Sequence, residues 1–166
     1  FCGFSEKMRF DLTVNILTNF AFNKGFIKVF GGEQTRPNIH IEDMCRLYTM
    51  LMDRDIKNFN GEIFNAGVEN LKIIEIAEII KKIFKQKKDK DINIQIEESE
   101  DKRSYMINSE KIKKILKFEF KYRVEDAVKD LLAQFESGNL KNTFDSKWQN
   151  IQVLKNNQNL LEYYSK

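Results

Sequence analysis

The stretch from Phe30 to Met44, FGGEQTRPNIHIEDM, limits the fold more than any other part of the chain. Gly31 and Gly32 supply a turn that ends whatever strand precedes them. Pro37, the chain's one proline, biases Arg36 toward extended backbone, because the residue before a proline is disfavoured in the helical region. NIHI then reads as a continuing strand. Met44, Leu47, Tyr48, Leu51 and Met52 carry the i, i+3, i+4, i+7, i+8 spacing of an amphipathic helix that should run to about Asp53. Glu42 and Asp43 fall at its start, where carboxylates complement the positive end of the helix.

The flanks extend this alternation. Residues 11–24, DLTVNILTNFAFNK, place Val14, Leu17 and Ala21 on one stripe widened by Ile16 and Phe20, which predicts a largely buried helix closed by Gly25. FIKVF alternates as a short strand. GEIFNAG is predicted as a strand between turn signals, its core at 62–65. LKIIEIAEIIKKIFK is a second periodic helix, and INIQIEE a half-buried strand. Ser109 before EKIKKIL reads as an N-cap. Val124, Val128, Leu131, Leu132 and Phe135 mark a last helix, closed by Gly138. Residues 139–166 are rich in Asn, Lys and Gln around Trp148 and have weak periodicity, as of a loosely packed tail or a helix docking elsewhere. The expectation is an α/β chain (α+β taken alone) of alternating helices and short strands, with one domain over residues 1–138 and a weakly patterned tail over 139–166. Its 166 residues suffice for one independent core.

Composition narrows the function classes. The 28 basic and 25 acidic residues leave a net charge of only +3, a weak argument for nucleic acid. The run KKIFKQKKDK follows a helical pattern without aromatic interleaving and reads as a solvated face, so no nucleic-acid partner is expected. Cys2 and Cys45 are too few for a disulfide framework or a zinc site, which makes a reducing cytoplasm the expected compartment. No apolar run has the length of a membrane span and no leader pattern stands at the front, so neither insertion nor secretion is expected. The chain opens on FCGFS without an initiating methionine, which suggests a fragment or a processed product.

A nucleophilic triad needs an oriented base, and the one histidine, His40, lies between Ile39 and Ile41 in a structural position. The acidic pairs Glu42-Asp43 and Glu97-Glu98 are adjacent rather than convergent, so no metal site is expected. Phosphate-loop and dinucleotide glycine fingerprints are absent. Anion recognition is better supported. Arg36 follows the glycine turn in extended backbone and Arg103 ends an acidic loop, each able to offer a planar fork to phosphate oxygens. Asn15, polar within a mostly apolar helix, adds a hydrogen-bonding group. The alternatives are that both arginines pair with surface acids and that Asn15 faces solvent.

Taken in order, SEKMRFDLTVN, GFIKVFGGEQTRPNIHIEDM, GEIFNAG and EDKRSYMINSEKIKKILKF resemble the carboxyl-terminal half of the nucleotide-sugar epimerases and dehydratases of the extended short-chain dehydrogenase/reductase family, over about residues 2–135. The resemblance implies that this chain is the substrate-binding part, and that NAD is bound by an N-terminal Rossmann part absent from it. The family's Tyr-x-x-x-Lys pair is missing too, so no catalytic residue is assigned and the chain alone should bind ligand weakly or not at all and catalyse nothing. It further implies that Asn15 and Arg36 stand at the diphosphate, Lys28 and Phe30 at the base, Asp101 at the ribose and Tyr105 in the sugar pocket. His40 and Asp43 would hold the turn, strand and helix in place. Where many relatives carry a phosphate-binding arginine, this sequence has Glu98, and Arg103 would serve instead. The implied partner is a nucleotide-diphosphate sugar, with a homodimer as the form of the complete enzyme. Two other readings stand beside this one: a non-catalytic nucleotide-sugar binding module or degenerate relative, and a nucleic-acid or scaffold protein using its lysine-rich faces.

Overall fold

The computed structural model describes residues 1–53, 55, 59–101 and 103–156. Its elements in chain order are α1 (Thr13–Lys24), β1 (Phe26–Phe30), β2 (Thr35–Asn38), α2 (Ile41–Met52), β3 (Glu69–Lys72), α3 (Ile73–Lys88), β4 (Asn93–Glu97), α4 (Glu110–Leu116), α5 (Val124–Glu136) and α6 (Asn150–Asn156). β1 pairs in parallel with β4, Phe26 opposite Asn93 and Phe30 opposite Glu97. β2 pairs antiparallel with β3, Thr35 opposite Lys72 and Asn38 opposite Glu69.

The main core follows from side-chain periodicity. Alternation along β1 turns Ile27 and Val29 inward while Phe26, Lys28 and Phe30 face outward. Ile76, Ala77, Ile80, Ile83 and Phe84 of α3 and Val124, Ala127, Val128 and Leu132 of α5 close over them with Val14, Leu17 and Ala21 of α1. Burying a side chain such as Ile80 or Leu132 contributes roughly 1.5–3 kcal/mol. A second cluster joins Met8, Phe10, Leu131, Phe135 and Leu140, with Phe22 stacked on Phe135 at 4.7 Å. A third lies under α2, where Leu47 meets Ile112, Leu116 and Phe118.

Left-handed backbone ends α1 at Gly25 and turns the chain at Gly31 and Gly32, with φ of 78°, 76° and 109°. Four local expectations change. NIHI does not continue as strand: β2 ends at Asn38, and Ile39 and His40 lie at a short isolated bridge to Cys2. There the His40 Nδ1 accepts from the Glu42 amide at 3.2 Å and caps α2, so the chain must leave extended pairing. GEIFNAG is irregular. Phe64 and Ala66 pack against the third cluster, and the strand forms four residues later as β3. β4 is less buried than its alternation suggests, because Ile94 packs inward whereas Ile96 is exposed. Ser109 precedes α4, but its hydroxyl accepts from the Gly67 amide at 3.0 Å, and Asn108 Oδ1 takes the Glu110 amide at 2.8 Å.

The start of the weakly patterned tail is anchored. Trp148 meets Phe10 edge-on at 6.1 Å, and buried Thr143 donates to Asn19 Oδ1 at 2.6 Å. Residues 157–166 lie outside the described residues. Among the described residues, no helix is long and apolar enough to cross a membrane.

Candidate functional site

Parallel pairing brings the carboxyl ends of β1 and β4 side by side, and the Gly31 amide extends the ladder to the Glu97 carbonyl at 2.7 Å. Past that bond lies a crevice at the ends of parallel strands, a place where ligands bind. One wall is the glycine turn and β2; the other is residues 99–101 and 103–105. The cleft holds about 370 Å³ and is bordered by Phe30, Gln34, Arg36, Asp101, Arg103 and Tyr105, with Thr13 at its edge.

Arg36 is the fixed charge of this cleft. Its side chain is 17% exposed, its Nη1 donates to the carbonyls of Thr35 and Arg103, and its guanidinium lies 5.1 Å from the centre of the Tyr105 ring. Backbone carbonyls and an aromatic face define its orientation, a pre-organisation that a lysine would not reproduce. Arg103 is exposed and takes Asp101 in a bidentate grip, Nε to Oδ1 and Nη2 to Oδ2, each at 2.7 Å. Asp101 Oδ2 also lies 3.6 Å from Arg36 Nη2. The Arg103 side-chain hydrogen bonds, helped by the Arg103 amide and by the charge of Arg36, hold the Asp101 carboxyl well below the usual carboxylate range.

Gln34 joins the two walls, and sequence reading gave it no role. Its Oε1 accepts from the Gly32 amide at 2.8 Å, while its Nε2 donates to the carbonyls of Asp101 at 2.7 Å and Phe30 at 3.3 Å. The side chain is buried, and its amide serves as donor and acceptor at once. The 103–105 segment is further stitched to β2: Ser104 Oγ accepts from the Thr35 amide at 2.9 Å, and the Tyr105 amide donates to the Thr35 carbonyl at 3.2 Å.

Phe30, Arg36, Asp101, Arg103 and Tyr105 therefore share one cleft. Lys28 sits on the outer face of β1, paired with Glu97 at 2.9 Å and 5.0 Å from the centre of the Phe30 ring. Asn15 is apart from them. It borders a separate cavity of about 120 Å³ with Phe1, Cys2 and Gly3, and it is 3% exposed. Its Nδ2 donates to the Arg9 carbonyl at 2.9 Å and its Oδ1 accepts from the Gly3 amide at 3.3 Å, so it ties the first residues to α1.

The remaining polar groups are structural. His40 is buried, caps α2 and lies 4.9 Å from the Tyr122 ring; at Gly3, φ +99°, a Cβ would meet His40 Nε2 at 2.8 Å. Asp43 is fully buried and accepts from the amides of Lys121 and Tyr122 besides pairing with Arg46. It thus anchors the segment before α5 rather than serving only the start of α2. Lys82, Lys85 and Lys88 of the lysine-rich helix pair with Glu125, Asp89 and Glu136. Among the described residues, no group of three or more His, Cys, Asp or Glu converges as a metal site.

No family model matches the chain. Solved structures do. The chain is 21% identical to dTDP-glucose 4,6-dehydratase of Bacillus anthracis, solved in complex with NAD, covering 90% of this chain and 45% of that one at a TM-score of 0.65. It is 20% identical to UDP-glucuronic acid 4-epimerase of Bacillus cereus, solved with UDP-glucuronic acid and NAD, over 82% of this chain and 43% of that one, TM-score 0.65. L-threonine dehydrogenase of Phytophthora infestans matches at 13% identity over 83% of this chain and 47% of that one, TM-score 0.68. The chain spans less than half the length of each of these structures. The fold is thus that of part of these enzymes, as the resemblance implied. Because the third of them is an L-threonine dehydrogenase, the fold does not by itself select the substrate.

Proposed function

We propose that this chain is the substrate-binding portion of an NAD-dependent enzyme acting on a nucleotide-diphosphate sugar, an epimerase or dehydratase. The observation that carries the reading is the convergence of two guanidiniums, Arg36 and Arg103, with Phe30 and Tyr105 in one cleft at the ends of β1 and β4. Paired forks suit the oxygens of a diphosphate. The half-exposed Phe30 ring offers a face to a nucleobase, with Lys28 beside it, and Tyr105, whose ring lies against Arg36, would line the sugar pocket. Asp101 would meet ribose hydroxyls once its carboxylate leaves the arginines. Asn15 acts at one remove, fixing the chain start beside α1.

The described residues offer no glycine cradle for the pyrophosphate of NAD. The glycines with left-handed backbone end α1 and α5, precede β2, or lie in loops, and none opens a helix whose N-terminal amides would cradle a pyrophosphate. NAD and the proton-transfer pair are therefore assigned to a part of the protein outside this sequence, and no chemical step is assigned to these residues. Their work is orientation: a sugar held by its diphosphate is presented in one geometry to groups supplied elsewhere. A homodimer of the complete enzyme belongs to the same reading. Without the remaining part, the binding portion would be a non-catalytic module.

The test is the affinity of a nucleoside diphosphate sugar for wild type and Arg36→Ala in the complete protein, by isothermal titration calorimetry. Loss of a charge-assisted contact should weaken binding by about 1–3 kcal/mol. Unchanged affinity would remove Arg36 from the pocket and the proposal with it.

A further inference from the structure

The carboxylate of Asp101 occupies the positions that the oxygens of an anionic ligand would take. Both of its oxygens fill the Arg103 fork, and one also faces Arg36 Nη2. The backbone of residue 101 is held by other means: Gln34 Nε2 donates to its carbonyl, and its amide donates to Ser99 Oγ at 3.2 Å. The carboxylate also accepts from the Arg103 amide at 3.1 Å, but that bond is exposed to solvent that can replace it, so the carboxylate is able to leave both arginines without unfolding the wall of the cleft. Its half-exposed side chain and the exposed Arg103 lose little packing in doing so. Arg36, stacked on Tyr105 and bonded to two carbonyls, remains where it is.

We infer that Asp101 is a displaceable counter-ion that offsets one of the two arginine charges in the resting cleft and gives way to a diphosphate. The inference rests on the proposed function and adds what sets the selectivity of the site. A monoanion only exchanges one charge for another and gains nothing over the tethered carboxylate. A diphosphate brings more charge and more acceptor oxygens, and it spans both forks. Once displaced, the carboxylate is free to meet ribose hydroxyls.

Inorganic pyrophosphate is the probe, because it has no ribose whose lost contact with residue 101 would mask the effect. Calorimetric titration of the complete protein at low ionic strength should show Asp101→Asn binding pyrophosphate about two- to fivefold more tightly than wild type, the scale of one exposed charge pair. The gain should shrink as salt is added, vanish in the Arg103→Ala background, and be reproduced by Asp101→Ser; circular dichroism checks that each variant is folded. Pyrophosphate affinity that is unchanged or weaker in Asp101→Asn, or undetectable in both proteins, overturns the inference. Arg36→Ala separates the two failures: if it still weakens nucleoside diphosphate binding, the cleft reading stands and only the counter-ion role of Asp101 is lost.

Discussion

Asp43→Ala tests whether a buried carboxylate holds the segment before α5. The Lys121 amide lies 3.1 and 3.0 Å from the two carboxylate oxygens and the Tyr122 amide 3.0 Å from one of them, while the side chain of Asp43 is wholly inaccessible. Alanine leaves two N–H groups without an acceptor, at about 1–3 kcal/mol each. Arg46 loses its partner, but it is one-third exposed and still donates to the Glu119 carbonyl at 3.2 Å, so its share is at most about 1 kcal/mol. The total is about 3–5 kcal/mol, the usual scale for breaking a buried charged pair. Asp43→Asn keeps one acceptor oxygen and should lose about 1–2 kcal/mol. Urea unfolding followed by circular dichroism reads both as a lower midpoint at constant slope. A loss below about 1 kcal/mol in the alanine variant would mean that water replaces the carboxylate and that the anchor is dispensable.

Two further outcomes follow from titratable groups. Burial pushes the Cys2 thiol up to about 12, so at pH 8 it stays protonated, whereas Cys45 is exposed. Ellman's reagent should modify only Cys45 quickly in the native protein and both cysteines in urea; rapid modification of Cys2 in the native protein would contradict the buried bridge to residues 39–41. For Asp101 the folded carboxyl titrates below its ordinary range. The stabilisation from the Asp101–Arg103 pair is therefore fully present above the usual carboxylate pKa, and the pair itself is lost only as pH falls through the lowered value of the folded state. Carbon-13 NMR should find the Asp101 midpoint low in wild type and higher in Arg103→Ala, and an equal midpoint in the two proteins would dissolve the pair.

Much of the fold was legible because its core elements are strongly periodic. The apolar stripes of α1, α3 and α5 and the alternation of FIKVF appear in the structure nearly as read, and Gly25 and Gly138 close their helices with left-handed backbone. Two of the differences, at 61–67 and at β3, come from long-range partners overriding local pattern. GEIFNAG alternates because Phe64 and Ala66 rest on the cluster around Leu47 and Ile112, not because a strand is present. ENLK, with little strand propensity of its own, becomes β3 because β2 lies beside it. The arginines of the cleft stood out by type, Arg36 by its place after the glycine turn and Arg103 by its place at the end of an acidic loop. Gln34 did not, since its three hydrogen bonds join backbone groups that only folding brings together, and no spacing in the sequence announces them. The segregation of Asn15 into a second cavity was equally invisible, because it depends on where residues 1–9 cross α1.

The most direct test of the central claim is a crystal structure of the complete protein with uridine diphosphate bound. The account predicts diphosphate density within hydrogen-bonding distance of Arg36 Nη2 and Arg103, the base against Phe30, and the Asp101 carboxylate turned away from both arginines. A nucleotide bound elsewhere, with the Asp101–Arg103 pair undisturbed, would contradict it.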